Sequence, residues 1–200
     1  MDNDNPLQEL LLPLRRNILA GMMVGLPGKV MAYDAESQRA QIQCGIQKHT
    51  GNGEFITLPV IDGVPVKFAG SAGWSFFHEV PVGTEGFIHF SQRSIDNWLD
   101  RGGPVPPSDS RLFNMTDAFF SPGYRSTATA IEGLPSSGIG LTCVGGDIMV
   151  HLTDSGIKLV AGGQVLELSD AGLFHNGKNI GSTHTHGGVE RGGANTDVPQ

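Results

Sequence analysis

The chain has 200 residues, 29 of them glycine, with 38% hydrophobic side chains and a net charge of −7. It is too apolar for a disordered chain, and its glycines are too irregularly spaced for collagen. The acidic balance, with no Lys/Arg cluster, argues against nucleic acid as a partner.

Many glycines among short apolar runs predict an all-β chain. The start, Met1-Asp2-Asn3-Asp4, has no basic region, and Pro13 and Arg15-Arg16 interrupt the leucines after it. No signal peptide is read there, and no apolar run is long enough to span a bilayer. The expectation is a protein made in the cytoplasm. Cys44 and Cys143 lie far apart in apolar runs and are expected to be buried free thiols rather than a disulfide.

Residues 1–25 read as an N-terminal arm. Leucines and Ile18 recur at roughly helical spacing from Leu7 to Leu19, with Pro13 set to kink the helix or begin a second turn. Such a helix either lies on its own domain or docks on a neighbouring subunit or larger partner.

Residues 26–108 read as a small barrel of the OB type. Val30 to Tyr33 is a strand and Asp34 to Gln38 its turn. Ala40, Ile42, Cys44 and Ile46 then alternate with Arg39, Gln41, Gln43 and Gly45, the pattern of a half-buried strand. Further strands are expected at Phe55–Leu58, Val64–Phe68, Trp74–Phe77 and Gly86–Phe90. Trp74 and Trp98 read as core or interface residues. Ser94 to Arg101 reads as a helical turn capped by Ser94. The Pro-rich passage from Gly102 to Pro107 marks the expected end of the barrel, and residues 109–137 read as an apolar connector packed against it or against a neighbouring subunit.

From residue 138 to 180 the pattern repeats. Val150-His151-Leu152-Thr153-Asp154-Ser155-Gly156-Ile157 aligns with Leu166-Glu167-Leu168-Ser169-Asp170-Ala171-Gly172-Leu173. Each unit is a short strand ending in an Asp-small-Gly turn, too small to bury its apolar side alone. So few units make a shaft only if three chains wrap together around a shared core, a trimeric intertwined β-helix or β-prism.

Residues 181–200 form the apex, Gly181-Ser182-Thr183-His184-Thr185-His186-Gly187-Gly188 and the tail after it. In an extended backbone His184 and His186 point to one side. Three chains around a threefold axis supply six imidazoles, an octahedral cage that favours iron(II) over four-coordinate zinc. Imidazole binds metal only when neutral, so the site is expected to weaken on acidification. The plain alternative is two solvated histidines in a polar tail.

Several segments resemble one family. Pro27-Gly28-Lys29-Val30, Tyr33-Asp34 and Gln38-Arg39-Ala40 look like the start of its barrel. Ser94-Ile95-Asp96-Asn97-Trp98 and Asp117-Ala118-Phe119-Phe120-Ser121-Pro122-Gly123 look like its close. Thr183-His184-Thr185-His186-Gly187-Gly188 with Asn195-Thr196-Asp197-Val198-Pro199-Gln200 looks like its tip. The family is the central spike of contractile-tailed bacteriophages, the baseplate assembly protein V type. The resemblance implies a non-enzymatic homotrimer in the virion, at the tip of the tail baseplate. It implies an N-terminal arm that docks on the hub, an OB domain, a β-helical shaft, and a pointed apex with one iron held by His184 and His186 of three chains, with baseplate and tail hub proteins as partners. In that family the tip is driven through the host outer membrane. A type VI secretion tip or a tailocin spike shares the architecture.

Two other readings stand beside it. Glu190 after His184-Thr185-His186 has the spacing of a cupin-like mononuclear metalloenzyme, with His151 or His175 as a further ligand. The barrel alone reads as an OB-type binding module. The remaining histidines, His49, His78, His89, His151 and His175, read as structural or solvated.

Overall fold

A computed structural model describes residues 6–185, 187–188 and 192. The chain is mostly β and divides into two compact units, one ending at Thr129 and one beginning at Ala130. The two units are taken separately below.

The first unit opens with α1 (Pro6–Gly21), which runs through Pro13 without ending there. Pro13 has no N–H for the Glu9 carbonyl, so the helix continues with one bond missing. Its described side chains are all exposed.

The sheet of this unit is built from β1 (Gly25–Asp34), β2 (Arg39–Cys44), β5 (Ile61–Pro65), β6 (Glu85–Phe90) and β7 (Ala118–Pro122), in the order β5-β2-β1-β6-β7. Two short strands, β3 (Lys48–His49) and β4 (Phe55–Ile56), form a separate hairpin. Just beyond β5, Val66 bridges Phe120 of β7 in parallel, and the Lys67 N–H donates to the Phe120 carbonyl at 2.8 Å. This single bridge ties the chain just beyond one outer strand to the other, so the two edges of the sheet meet at that point.

The period-two reading of β2 holds: Ala40, Ile42 and Cys44 are buried, and burial pushes the Cys44 thiol up. Ile46 is exposed because the strand ends at Cys44. The core gathers Val30, Ile42, Ile61, Val64, Ile88 and Phe120.

Several local expectations give way. The sheet does not stop at residue 108: β7 follows the Pro-rich passage and completes the sheet. Trp74 to Phe77 is no strand; Trp74 and Phe77 are 85% and 89% exposed, on a loop pinned by a single Gly70–Ser75 bridge. Ser94 does not cap α2 (Asp96–Arg101). Ile95 occupies that position, and the Ser94 hydroxyl instead meets the Ser108 hydroxyl at 2.5 Å. Cys143 is a free but exposed thiol, because it lies in a turn rather than a strand.

Gly86 lies beneath the Phe120 ring, where an added Cβ would collide with that ring and with the Ser121 carbonyl. Phe120 is fully buried and sits at the barrel closure, so neither partner can retreat. Gly86→Val is therefore expected to cost about 1 to 3 kcal/mol, as overpacking of a core does. Urea denaturation of the variant checks this; an unchanged midpoint would contradict the packing described.

The second unit is a six-stranded antiparallel meander. Its strands are β8 (Ile139–Thr142), β9 (Ile148–Thr153), β10 (Gly156–Ala161), β11 (Gln164–Ser169), β12 (Gly172–His175) and β13 (Lys178–Asn179). The repeated turns are two-residue hairpins. Thr153 pairs with Gly156 around Asp154-Ser155, and Ser169 pairs with Gly172 around Asp170-Ala171. Gly156 has φ 147°, and an added Cβ would strike the Leu168 carbonyl oxygen. Asn176-Gly177, with φ 47° and 75°, turns β12 into β13 in the manner of a type I′ hairpin.

Residues directly opposite in antiparallel strands point to the same face. One face of this sheet therefore carries the row Ile139, Leu152, Ile157, Leu168, Leu173. Beside it runs the row Leu141, Val150, Leu159, Leu166, His175. The other face is mixed: Thr142, His151, Thr153, Lys158 and Glu167 share it with Met149, Val160, Val165 and Phe174. The aliphatic face is the more open one: Ile139, Leu141 and Ile148 are 77%, 66% and 61% exposed. Among the described residues from Ala130 onward, none is buried.

Candidate metal centre

The chain reaches its first candidate ligand through a short, polar turn after β13. The Asn179 side chain accepts from the Gly181 N–H at 2.8 Å and donates to the Thr183 hydroxyl at 2.9 Å. Those two bonds hold the backbone on either side of Ser182. The Gly181 carbonyl then receives the His184 N–H at 3.2 Å and the His184 Nδ1 at 2.6 Å.

A carbonyl oxygen only accepts, so Nδ1 must carry the proton. The neutral ring then has its lone pair on Nε2. A backbone carbonyl on one ring nitrogen is a usual way to fix the tautomer and direction of a metal-binding histidine, leaving the other nitrogen as ligand. His184 is exposed. An imidazole whose Nδ1 is bonded to a carbonyl is a kind of donor that a transition metal takes. His186, the second candidate ligand, lies outside the described residues, as do Glu190 and residues 195–200.

Among the described residues of one chain, no three histidine, cysteine or acidic side chains gather in a metal-sized cluster. His151 and His175 point to opposite faces of the sheet, by the register above. The His151 imidazole donates to the Ser137 carbonyl at 2.8 Å. In the first unit, His49 meets the edge of Phe55, His78 donates to the Glu79 carbonyl, and His89 bonds the Ser121 hydroxyl at 3.1 Å.

The sequence reading missed Asn179 and the Gly181 carbonyl as the groups that orient His184. Asn179 stands four residues before Thr183, and that spacing carries no signal outside a helix. The histidine pair was visible as a motif; its support was not.

Comparison with known proteins gives two matches. Residues 26–123 match the family described as phage protein Gp138 N-terminal domain. Residues 182–200 match the GpV apex motif. None of the curated proteins matches the chain. The first match takes in all of the five-stranded sheet but Gly25, including β7, and the second takes in both His184 and His186.

Proposed function

From the premise that this chain belongs to the baseplate spike families of phages, we propose that it is a homotrimeric, membrane-piercing tail tip. Its first unit is an OB barrel, since the order β5-β2-β1-β6-β7 with a parallel closure is the connectivity of that five-stranded barrel. This unit seats on the tail hub. The second unit is one third of a β-prism. The apex holds one iron between the His184 and His186 imidazoles of three chains. The spike acts mechanically, without catalysis, when the tail drives it into the host outer membrane.

The observation that carries this reading is the inverted exposure of the second unit. Its aliphatic face is open, while the opposite face, which mixes polar groups with Met149, Val160, Val165 and Phe174, is the more covered. A contiguous apolar face of this kind marks an association surface. A threefold arrangement satisfies it with a closed, symmetric core, and a closed symmetry adds no further copies. Sharing one core also makes the shaft stiff, which piercing requires. The metal adds a tie at the point, where a frayed end would blunt the tip.

Imidazole suits iron, and six imidazole nitrogens in two layers suit an octahedral ion. His184→Ala with His186→Ala is expected to remove the metal while leaving the trimer assembled, because the prism core does not include these residues. Elemental analysis beside molar mass checks this. A double variant that keeps its full metal content would contradict the site.

A further inference from the structure

The outer surface of the first sheet carries a cleft that a purely mechanical role leaves unused. It is open, with a volume of about 650 Å³, within the range of small-molecule sites. Three parts of the unit meet there. Gln38 lies in the turn between β1 and β2. Lys67 lies just beyond β5, next to the parallel bridge to β7. Trp98 stands on α2, and His89, Phe119 and Ser121 come from the outward positions of β6 and β7.

The backbone behind this lining is fixed. The Lys67 N–H donates to the Phe120 carbonyl at 2.8 Å, and the Asn97 side chain anchors α2 by donating to the Pro106 carbonyl at 3.0 Å. The Trp98 and Phe119 rings meet edge to face, 5.8 Å apart at 71°, which sets the tilt of the indole. Gln38 has φ 56°, in the left-handed region that a residue with a side chain enters at a cost. The tips of the side chains, by contrast, are uncommitted. Trp98 is 49% exposed. Among the described residues, the Trp98 indole N–H, the Gln38 amide and the Lys67 ammonium have no hydrogen-bond or ion-pair partner. His89 Nε2 and Ser121 Oγ bond each other at 3.1 Å, and the hydroxyl still has capacity for a further bond.

An open ring face beside a set of hydrogen-bonding groups suits a ligand with the same two sides. A sugar has them: the C–H bonds of its ring make an apolar face, and its hydroxyls surround the edge. The unpaired ammonium adds a preference for a sugar that carries a carboxylate, since no carboxylate of the protein lines the cleft. A nucleic-acid strand needs a basic groove, and Lys67 is the only lysine or arginine in the lining. We propose that this cleft binds a short acidic oligosaccharide. One sugar ring lies on the Trp98 indole, a carboxylate meets Lys67, and hydroxyls bond Gln38, His89 and Ser121. The site needs only the first unit, so it stands apart from the trimer and the metal.

Trigalacturonate is a suitable probe, with maltotriose as its neutral counterpart. Each would be titrated into the full chain by calorimetry. The expected result is saturable binding of trigalacturonate, one per chain, and weaker binding of maltotriose. Lys67→Met should remove the difference between the two saccharides. Trp98→Leu should weaken both by about tenfold or more, the loss of one well-covered ring. Urea midpoints measured alongside separate lost binding from lost folding. Lys67 is exposed and unpaired, so Lys67→Met keeps the test decisive even if Trp98→Leu unfolds. The site would be overturned if trigalacturonate does not bind, or if it binds the folded variants as tightly as the wild type. A thymidine oligonucleotide that binds where neither saccharide does would overturn the ligand class.

Discussion

Arg111→Ala is expected to destabilise the first unit by about 3 to 5 kcal/mol, the usual cost of stripping a buried charge of its partner. The buried charge is Asp117, whose side chain is fully enclosed. Arg111 grips it as a fork, with Nε on Oδ2 and Nη2 on Oδ1, both at 2.8 Å. The same Oδ1 accepts the Ile95 N–H at 3.0 Å, at the start of α2. Arg111 also reaches Asp96 at 2.7 Å and Asp109 at 2.6 Å. One guanidinium thus ties α2, the segment before β7 and the entry to β7. Without it, Asp117 retains one backbone donor. Lysine at 111 would keep the charge but lose the planar fork, so Arg111→Lys should fall between the alanine variant and the wild type. Urea unfolding of the three proteins checks the order.

The same cluster has a pH signature. The Arg111 guanidinium first, and the Ser108 hydroxyl next, hold the Asp96 carboxyl below its ordinary range. A carboxylate lowered by folding stabilises the fold above its unfolded value, and that contribution disappears as pH falls through the folded value. Wild-type stability should therefore decline as pH drops below the ordinary carboxylate range. Part of that slope should be missing in Arg111→Ala, measured by unfolding midpoints across the acid range.

Leu159→Lys is expected to turn the proposed trimer into a monomer, a fall from about 64 kDa, three times the 21.2 kDa chain, to a single chain. Leu159 sits in the central row of the aliphatic face, between Val150 and Leu166. Fully burying one leucine contributes about 1.5 to 3 kcal/mol, and threefold symmetry repeats the change in every chain. Lysine there would replace that gain with three unpaired charges in an aliphatic layer, with no neighbouring donor or acceptor to share them. Lys158→Leu, one residue away on the opposite face, should leave the mass unchanged. If both variants remain trimeric, the aliphatic face is not the interface.

Legibility in the sequence followed the range of the interactions. The alternation of Ala40, Ile42 and Cys44 is local, and the structure keeps it. The Asp-small-Gly repeats are local too, and each becomes a two-residue hairpin with its glycine opening the next strand. The close of the sheet was not legible, because β7 is chosen by its parallel bridge to Val66, more than fifty residues away. The Pro-rich passage looked like a boundary, but it is a loop within the unit. Ser94 looked like a helix cap by residue type alone; Ser108 and Asp96 take its hydroxyl instead. Trp74 read as core or interface; it is not core, because its loop carries it away from the packed sheet. Arg111 and Asp117 carried no pattern at all, since an irregular segment has no period to betray which charges turn inward. At the apex, the His-x-His pair announced itself, while the Asn179 and Gly181 groups that aim His184 became visible only through hydrogen bonds.

The central claim is a metal shared by three chains at the tip. Its most direct test is the iron content of purified, untagged protein, with molar mass measured on the same sample. The account predicts a trimer holding about one iron for every three chains, as an octahedral set of six imidazoles requires. One metal in each chain, or a trimer that holds none, would contradict it.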